Sequence, residues 1–320
     1  MLFRVSYMDM EKRFATDRLI GKAPTEEKRA LMDELKNRFL TQHTLEATDE
    51  VAKDPETLRI MDLADAGTNA VLQKYGEQPF NIPEKNIHLF REGVWFDGYS
   101  GGMTLLEHQG VLVKHAKGKL VLYMRTFHEM LHIKSHYTPQ IRRDEEGTRL
   151  DSYRIGLVVI SQDGGKKYFN NLNEAVTEEL NKRYATRNVN DPVFGQEQRY
   201  FLQHTSSEWR KAHTDAYTFY PDPKKPKEEK EHLIPWGFTY QRERRLLLRL
   251  CKKVADADPK SYSHPDEVFD VFAKAAIGGN ILPLGRMLER IFGKGTFRRL
   301  GEAGNDTNEF EKVIDSLTKV

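Results

Sequence analysis

The stretch that most constrains this chain is residues 121–133, which read Val-Leu-Tyr-Met-Arg-Thr-Phe-His-Glu-Met-Leu-His-Ile. Leu120, Met124, Phe127 and Leu131 recur at spacings of four and three, the period of an amphipathic helix. Residues four apart stand one above the other on a helix, so His128 and His132 can aim both imidazoles at one cation. The apolar stripe lies on a different face, which predicts a helix with buried backing and a polar metal side. Zinc accepts imidazole nitrogen at about 2.0–2.1 Å, and a catalytic zinc takes three protein ligands and keeps one position for water. Glu129, rotated roughly 100° from His128, flanks the metal side and can reach that water as a general base. The bland alternative is a surface helix that happens to carry two histidines, and a third ligand decides between the two.

The run 166–190 contains neither Gly nor Pro and reads as a second helix carrying Asn173-Glu174-Ala175-Val176-Thr177-Glu178. Together, H-E-x-x-H and N-E-A-x-T-E resemble the gluzincin metallopeptidases, the zincin group that includes thermolysin. The resemblance implies that Glu174 is the third zinc ligand and that Glu178 hydrogen-bonds a zinc-bound histidine. Independently of family, Glu174 and Glu178 share one helix face, and metal-bound histidines usually give their other N–H to a carboxylate. The two motif helices stand farther apart than in thermolysin, and no single family is implied. His136 continues the series 128, 132, 136, but three such residues span about 12 Å along a straight helix and cannot share one ion. It is expected in the last helical turn, with Pro139 ending the element.

The resemblance implies an α+β chain with a zincin-like core, a small mixed sheet plus two metal-ligand helices. Residues 1–78 are charged and helical, with Thr25 as an N-cap, a helix after Pro55 and an end at Gly76 and Pro79; they form an N-terminal arm. The core is expected over 79–221. Within it 86–90 and 93–96 are β-prone runs and Gly98, Gly101 and Gly102 mark turns. Strand 110–115 is the candidate edge that binds an extended peptide. Residues 141–147 read as charged loop, and 153–161 as a strand turning at 162–165 into the second helix. A hairpin there explains the long spacing. Pro221, Pro223 and Pro226 with alternating Lys and Glu make 222–235 a linker or exposed loop. A helical C-terminal lobe follows over 236–320, with helices at 240–254, 266–277 capped by Gly278 and Gly279, 284–292 and 309–320. His88, His108 and His115 read as loop or strand surface residues.

The 50 basic and 48 acidic residues leave a net charge of +2, so no overall field favours nucleic acid, and Glu228, Glu229 and Glu231 cancel the lysines of the charged tract. The single Cys251 excludes an internal disulfide, reads as a packed thiol and points to a reducing compartment. Residues 1–8 lack the apolar core of a signal peptide, and no window approaches the roughly 20 apolar residues of a membrane span; a cytoplasmic location is expected.

The chemistry expected is zinc-dependent hydrolysis of a peptide or protein substrate. Glu129 passes a proton from water to the leaving amine, and a further donor steadies the oxyanion. Tyr168, Tyr240 and His232 are candidates for that donor, Tyr240 foremost because it begins a helix of the far wall. The rival expectations are a non-catalytic zinc-containing module that only captures a peptide, and a helical interaction protein without metal.

Overall fold

The computed structural model describes residues 18–40, 50–91, 101–106, 109–116, 118–145, 147–221 and 233–318. Residues 1–8, the expected strand 93–96, Gly98, His108, the tract 222–231 and His232 lie outside the described residues. The fold is mixed α+β with small sheets. Helix α1 (Thr25–Leu40) leads to α2 (Pro55–Lys74). Asp54 starts α2 by accepting the Thr57 N–H at 2.7 Å, and Pro55 needs no partner at the first turn.

Three strands follow: β1 (Ile87–Phe90), β2 (Gly102–Leu105) and β3 (Gly110–Lys114), in spatial order β1-β3-β2. β3 runs parallel to β1 and antiparallel to β2. The expected edge strand 110–115 is therefore the centre of this sheet among the described residues, and β2 holds the edge. Burial explains the difference: all five residues of β3 are buried, as a central strand requires. His88, expected at the surface, is not exposed. It is buried in β1, and Glu50 reaches its Nδ1 at 3.1 Å.

Helix α3 (Lys119–Lys134) carries the motif. Its N-terminal residue Gly118 offers no side chain, and Glu197 from a distant helix caps it instead, accepting from the N–H groups of Lys119 at 2.5 Å and Leu120 at 3.1 Å. The expected stripe Leu120, Met124, Phe127 and Leu131 is buried, but so is most of the rest of the helix. α2 packs closely enough that Gly67 faces Phe127 with no room for a Cβ. α3 ends at Ser135, before His136, so His136 lies outside the helix. Pro139 sits within the next strand, where its missing N–H falls at a bulge.

Between α3 and the second motif helix the chain forms an antiparallel meander, β4 (Tyr137–Asp144), β5 (Gly147–Ile155), β6 (Val158–Ile160) and β7 (Lys167–Tyr168). Residues 141–144, expected as loop, pair with β5. Arg142 and Arg143 lie on a hairpin where Arg142 meets Asp151 at 2.8 Å and Arg143 meets Glu27 at 2.9 Å. The strand expected over 153–161 is broken at Gly156, whose φ of +55° turns β5 into β6. Helix α4 (Asn170–Ala185) then carries Glu174 and Glu178, starting four residues later than expected because Lys167 and Tyr168 pair with β6.

Residues after α4, which showed no pattern in the sequence, form α5 (Gly195–Gln203), α6 (Ser207–Ala212) and strand β8 (Ala216–Pro221). Strand β9 (Leu233–Gly237) pairs with β8, so 233–235, expected as linker or exposed loop, and the first two residues of the expected helical lobe are strand instead. The C-terminal helices are α7 (Gln241–Ala257), α8 (Pro265–Gly278), α9 (Leu282–Phe292), α10 (Thr296–Glu302) and α11 (Thr307–Ser316). Cys251 is buried, and burial pushes its thiol pKa up, in keeping with a packed thiol. One hydrophobic core runs from Leu19 to Leu317, drawing on α1, α2, both motif helices and the C-terminal helices. Among the described residues no helix is long and apolar enough to cross a membrane.

Arg154 ties the meander to the C-terminal helices. Its guanidinium donates to the Gly279 carbonyl at 2.6 Å and the Ala275 carbonyl at 3.2 Å, at the C-terminal end of α8. His136 packs beside it, and its ring occupies the space a Cβ on Gly279 would need. Burial first, then Arg154 and Arg18, bring the His136 pKa from 6.5 down to about 4. Between those values the unfolded chain binds a proton that the folded chain refuses, so stability rises with pH across that window and is lost as pH falls through it. The loss attributable to His136 is about 2–3 kcal/mol. Urea unfolding at pH 7 and pH 4.5 should show it, and His136→Asn should shrink the difference between the two pH values.

Candidate metal centre

Two helices build the centre. α3 supplies His128 and His132 from successive turns, and α4 crosses it to bring in Glu174 and Glu178. The Nε2 atoms of His128 and His132 lie 3.0 Å apart, and Glu174 Oε2 is 3.3 Å from the first and 3.4 Å from the second. His128, His132 and Glu174 thus form a group that could hold a metal ion.

The chemistry of this donor set fits a cation. Bonds of 2.0–2.1 Å in tetrahedral directions place neighbouring ligand atoms about 3.3 Å apart, close to the spacing of these three. His128 Nδ1 faces Glu178 Oε2 at 2.7 Å, so with its Nδ1–H given to that carboxylate a neutral His128 would present its Nε2 lone pair toward another nitrogen and a carboxylate oxygen. Burial opposes protonation of His128, but the two carboxylates beside it, Glu174 and Glu178, raise its pKa. Lone pairs converging in this way repel unless a positive charge sits between them. Glu129, Glu174 and Glu178 all surround the two imidazoles, so the field at the donors favours a positive charge, whether on an imidazole or on a bound cation. Burial opposes ionisation of Glu174, but His132 and His128 hold its pKa well below the usual carboxylate range. Burial likewise opposes charge on Glu178, and its bonds to His128, Asn181 and Thr239 lower its pKa.

Glu178 is fully engaged. Besides His128 it accepts from Asn181 Nδ2 at 3.1 Å, from the Thr239 N–H at 2.6 Å and from the Thr239 hydroxyl at 2.9 Å. Asn181 also donates to the Met124 carbonyl at 3.1 Å, pinning α4 to α3 beside the donors. The sequence offered a signal for Asn181, which stands three residues beyond Glu178 on the same helix. It offered none for Thr239, which arrives from a remote turn.

A cavity of about 430 Å³ opens over the three donors. Glu129 lines it, and burial raises the Glu129 pKa against the lowering influence of His128 and His132. β2 contributes Gly102, Met103 and Thr104 to one side, and the meander contributes Ile155, Val158 and Ile160 to another. Tyr240 lines the cavity too, immediately before α7. It is left-handed, with φ +49°, a conformation that costs a non-glycine residue about 1–2 kcal/mol. In that conformation its ring stacks on His128 at 5.9 Å with 14° between planes. Tyr240 is 41% exposed, but desolvation at the cavity wall and then Glu174, Glu129 and Glu178, with a hydrogen bond to Glu174, push its hydroxyl pKa up, so it stays protonated. Tyr168 sits in β7, half-buried against the core and away from the cavity lining. His136 belongs to a separate small cavity beside Arg18 and takes no part in the donor group.

Comparison with protein-family models, with curated proteins and with solved structures finds no match for this chain.

Proposed function

We propose that the chain is a zinc-dependent peptidase in which Glu129 is the general base. The observation that carries this reading is the convergence of His128, His132 and Glu174 beside Glu129 at the base of an open cavity. The reading takes zinc as the ion because two imidazole nitrogens and one carboxylate are a usual ligand set of catalytic zinc. Bound there, zinc would lower the pKa of a water toward about 7 and polarise the scissile carbonyl.

The chain's own residues do the rest. Glu129 takes the attacking water's proton on its carboxylate and passes it to the leaving amine nitrogen. Tyr240, held protonated and stacked on His128, donates its hydroxyl to the oxygen that gains charge. Glu178 keeps His128 in one tautomer and one orientation by accepting its Nδ1–H. β2 has a strand partner on one side only among the described residues, and its outer edge is suited to pair with an extended peptide. The lone buried Cys251 suits a reducing, cytoplasmic setting.

Metal analysis of the purified protein should find about one zinc per chain. A chelator should abolish cleavage of a mixed peptide library, and added zinc should restore it. Protein that carries no metal and takes none up would overturn the proposal. Stoichiometric zinc without cleavage of any peptide would favour the rival reading, in which the cleft only captures its ligand.

A further inference from the structure

Glu129 is a buried carboxylate with two oxygens in unlike surroundings. The Thr104 hydroxyl lies 2.9 Å from Oε2 and 3.0 Å from the Glu129 backbone carbonyl. A hydroxyl has one proton to give. The carbonyl already receives the helical N–H four residues on, whereas Oε2 has no other hydrogen-bond donor among the described residues, so the proton belongs to Oε2. Oε1 lies over Gly102, where an added Cβ would stand 3.1 Å from it and 2.8 Å from Glu129 Cγ. No donor among the described residues reaches Oε1. Gly102 and Thr104 are two apart on β2, so both approach α3 from the same side of the strand.

We propose that Thr104 is a positioning residue for Glu129: it ties down Oε2 and leaves Oε1, in the space kept open by Gly102, as the oxygen that takes the proton. The inference rests on the peptidase reading for its kinetic consequence, but the contact itself does not. A carboxylate free to rotate would present either oxygen and would spend part of its time turned away from the reacting water. One bond from a strand paired to β3 removes that freedom. Because Thr104 sits on the sheet edge expected to pair with substrate, base and peptide are referred to the same strand. A misplacement of about 1 Å can cost on the order of 100-fold in rate.

The test compares Thr104→Val, which keeps the shape and loses the hydroxyl, with Thr104→Ser, which keeps the hydroxyl and loses the methyl. In the zinc-loaded enzyme Thr104→Val should lower kcat by roughly 10- to 100-fold with KM and zinc content unchanged, and Thr104→Ser should restore kcat to near the wild-type value. A Thr104→Val enzyme with wild-type kcat, or a serine variant as slow as the valine one, would overturn the proposal. The second readout needs no activity: a cycle of Thr104→Val, Glu129→Ala and the double variant, followed by thermal unfolding of the metal-free protein. The two Tm losses should fail to add, because removing either partner already breaks the bond. Strict additivity would overturn the assignment. Should the wild type prove inactive, the peptidase reading fails while this cycle still decides the contact.

Discussion

Glu129→Gln should keep its zinc and lose about 10²- to 10⁴-fold in kcat. The substitution changes one oxygen into an NH₂ group and leaves the three donor atoms on His128, His132 and Glu174 where they are. Thr104 makes the outcome sharper than an isosteric swap alone would. Its hydroxyl sits 2.9 Å from Oε2 and will select the amide oxygen of the glutamine, turning the NH₂ toward the side where Oε1 now lies. An amide NH₂ group only donates, its lone pair being delocalised into the carbonyl, so the variant cannot revert to a weakened base by rotating. The folded state should tolerate the change well, since Glu129 is buried and burial already disfavours its charge. Zinc content by elemental analysis and single-turnover hydrolysis measure the two halves separately. A variant that retains wild-type turnover would remove Glu129 from the mechanism, whatever the metal does.

What could be read from the sequence divides according to how far apart the interacting residues are. His128 with His132, and Glu174 with Glu178, are four-residue repeats on single helices, so local geometry alone puts each pair on one face. That the two faces meet was an implication of resemblance in the sequence, and the 3.0–3.4 Å spacing of the donor atoms is what the structure adds. Contacts between segments distant in the chain were not legible. Thr104 bonds Glu129, Thr239 bonds Glu178 and Glu197 caps α3, and each pair is joined only by tertiary folding. His88 looked like surface because its polarity carries no trace of Glu50, its partner from far upstream.

The strands were harder than the helices for a related reason. Residues 141–144 are charged and alternate weakly, and their pairing with β5 is set by the hairpin at Asp144 and Gly147 rather than by a buried face. Strand 110–115 was recognised, but its rank in the sheet depends on which segments pair with it, and that is not a property of the strand itself. β2 carries two glycines just before and at its start, a composition that reads as a turn. In the folded chain Gly102 serves close approach: a Cβ there would stand 2.7 Å from the Leu112 carbonyl.

Glu174→Ala should abolish zinc binding at ordinary concentrations, lowering affinity well beyond the about 10- to 100-fold expected for loss of a residue that only supports a ligand. Two effects act together. The ion loses a ligand atom that stands within 3.4 Å of both imidazole nitrogens, and the pair left behind cannot close a three-ligand set. The site also loses a buried negative charge whose low pKa reflects its attraction to those same histidines. Glu178→Ala provides the internal standard. It leaves all three donor atoms in place and removes the acceptor for His128 Nδ1–H together with the one that Asn181 and Thr239 share, so its affinity should fall within the smaller range while some hydrolysis survives in excess zinc. Competition with a chromophoric chelator ranks the two variants on one scale. If Glu174→Ala bound zinc as tightly as the wild type, Glu174 would not be a ligand. If Glu178→Ala proved the more damaging, then the ion's third contact would lie on the other carboxylate, and His128 would have to turn its ring to meet it.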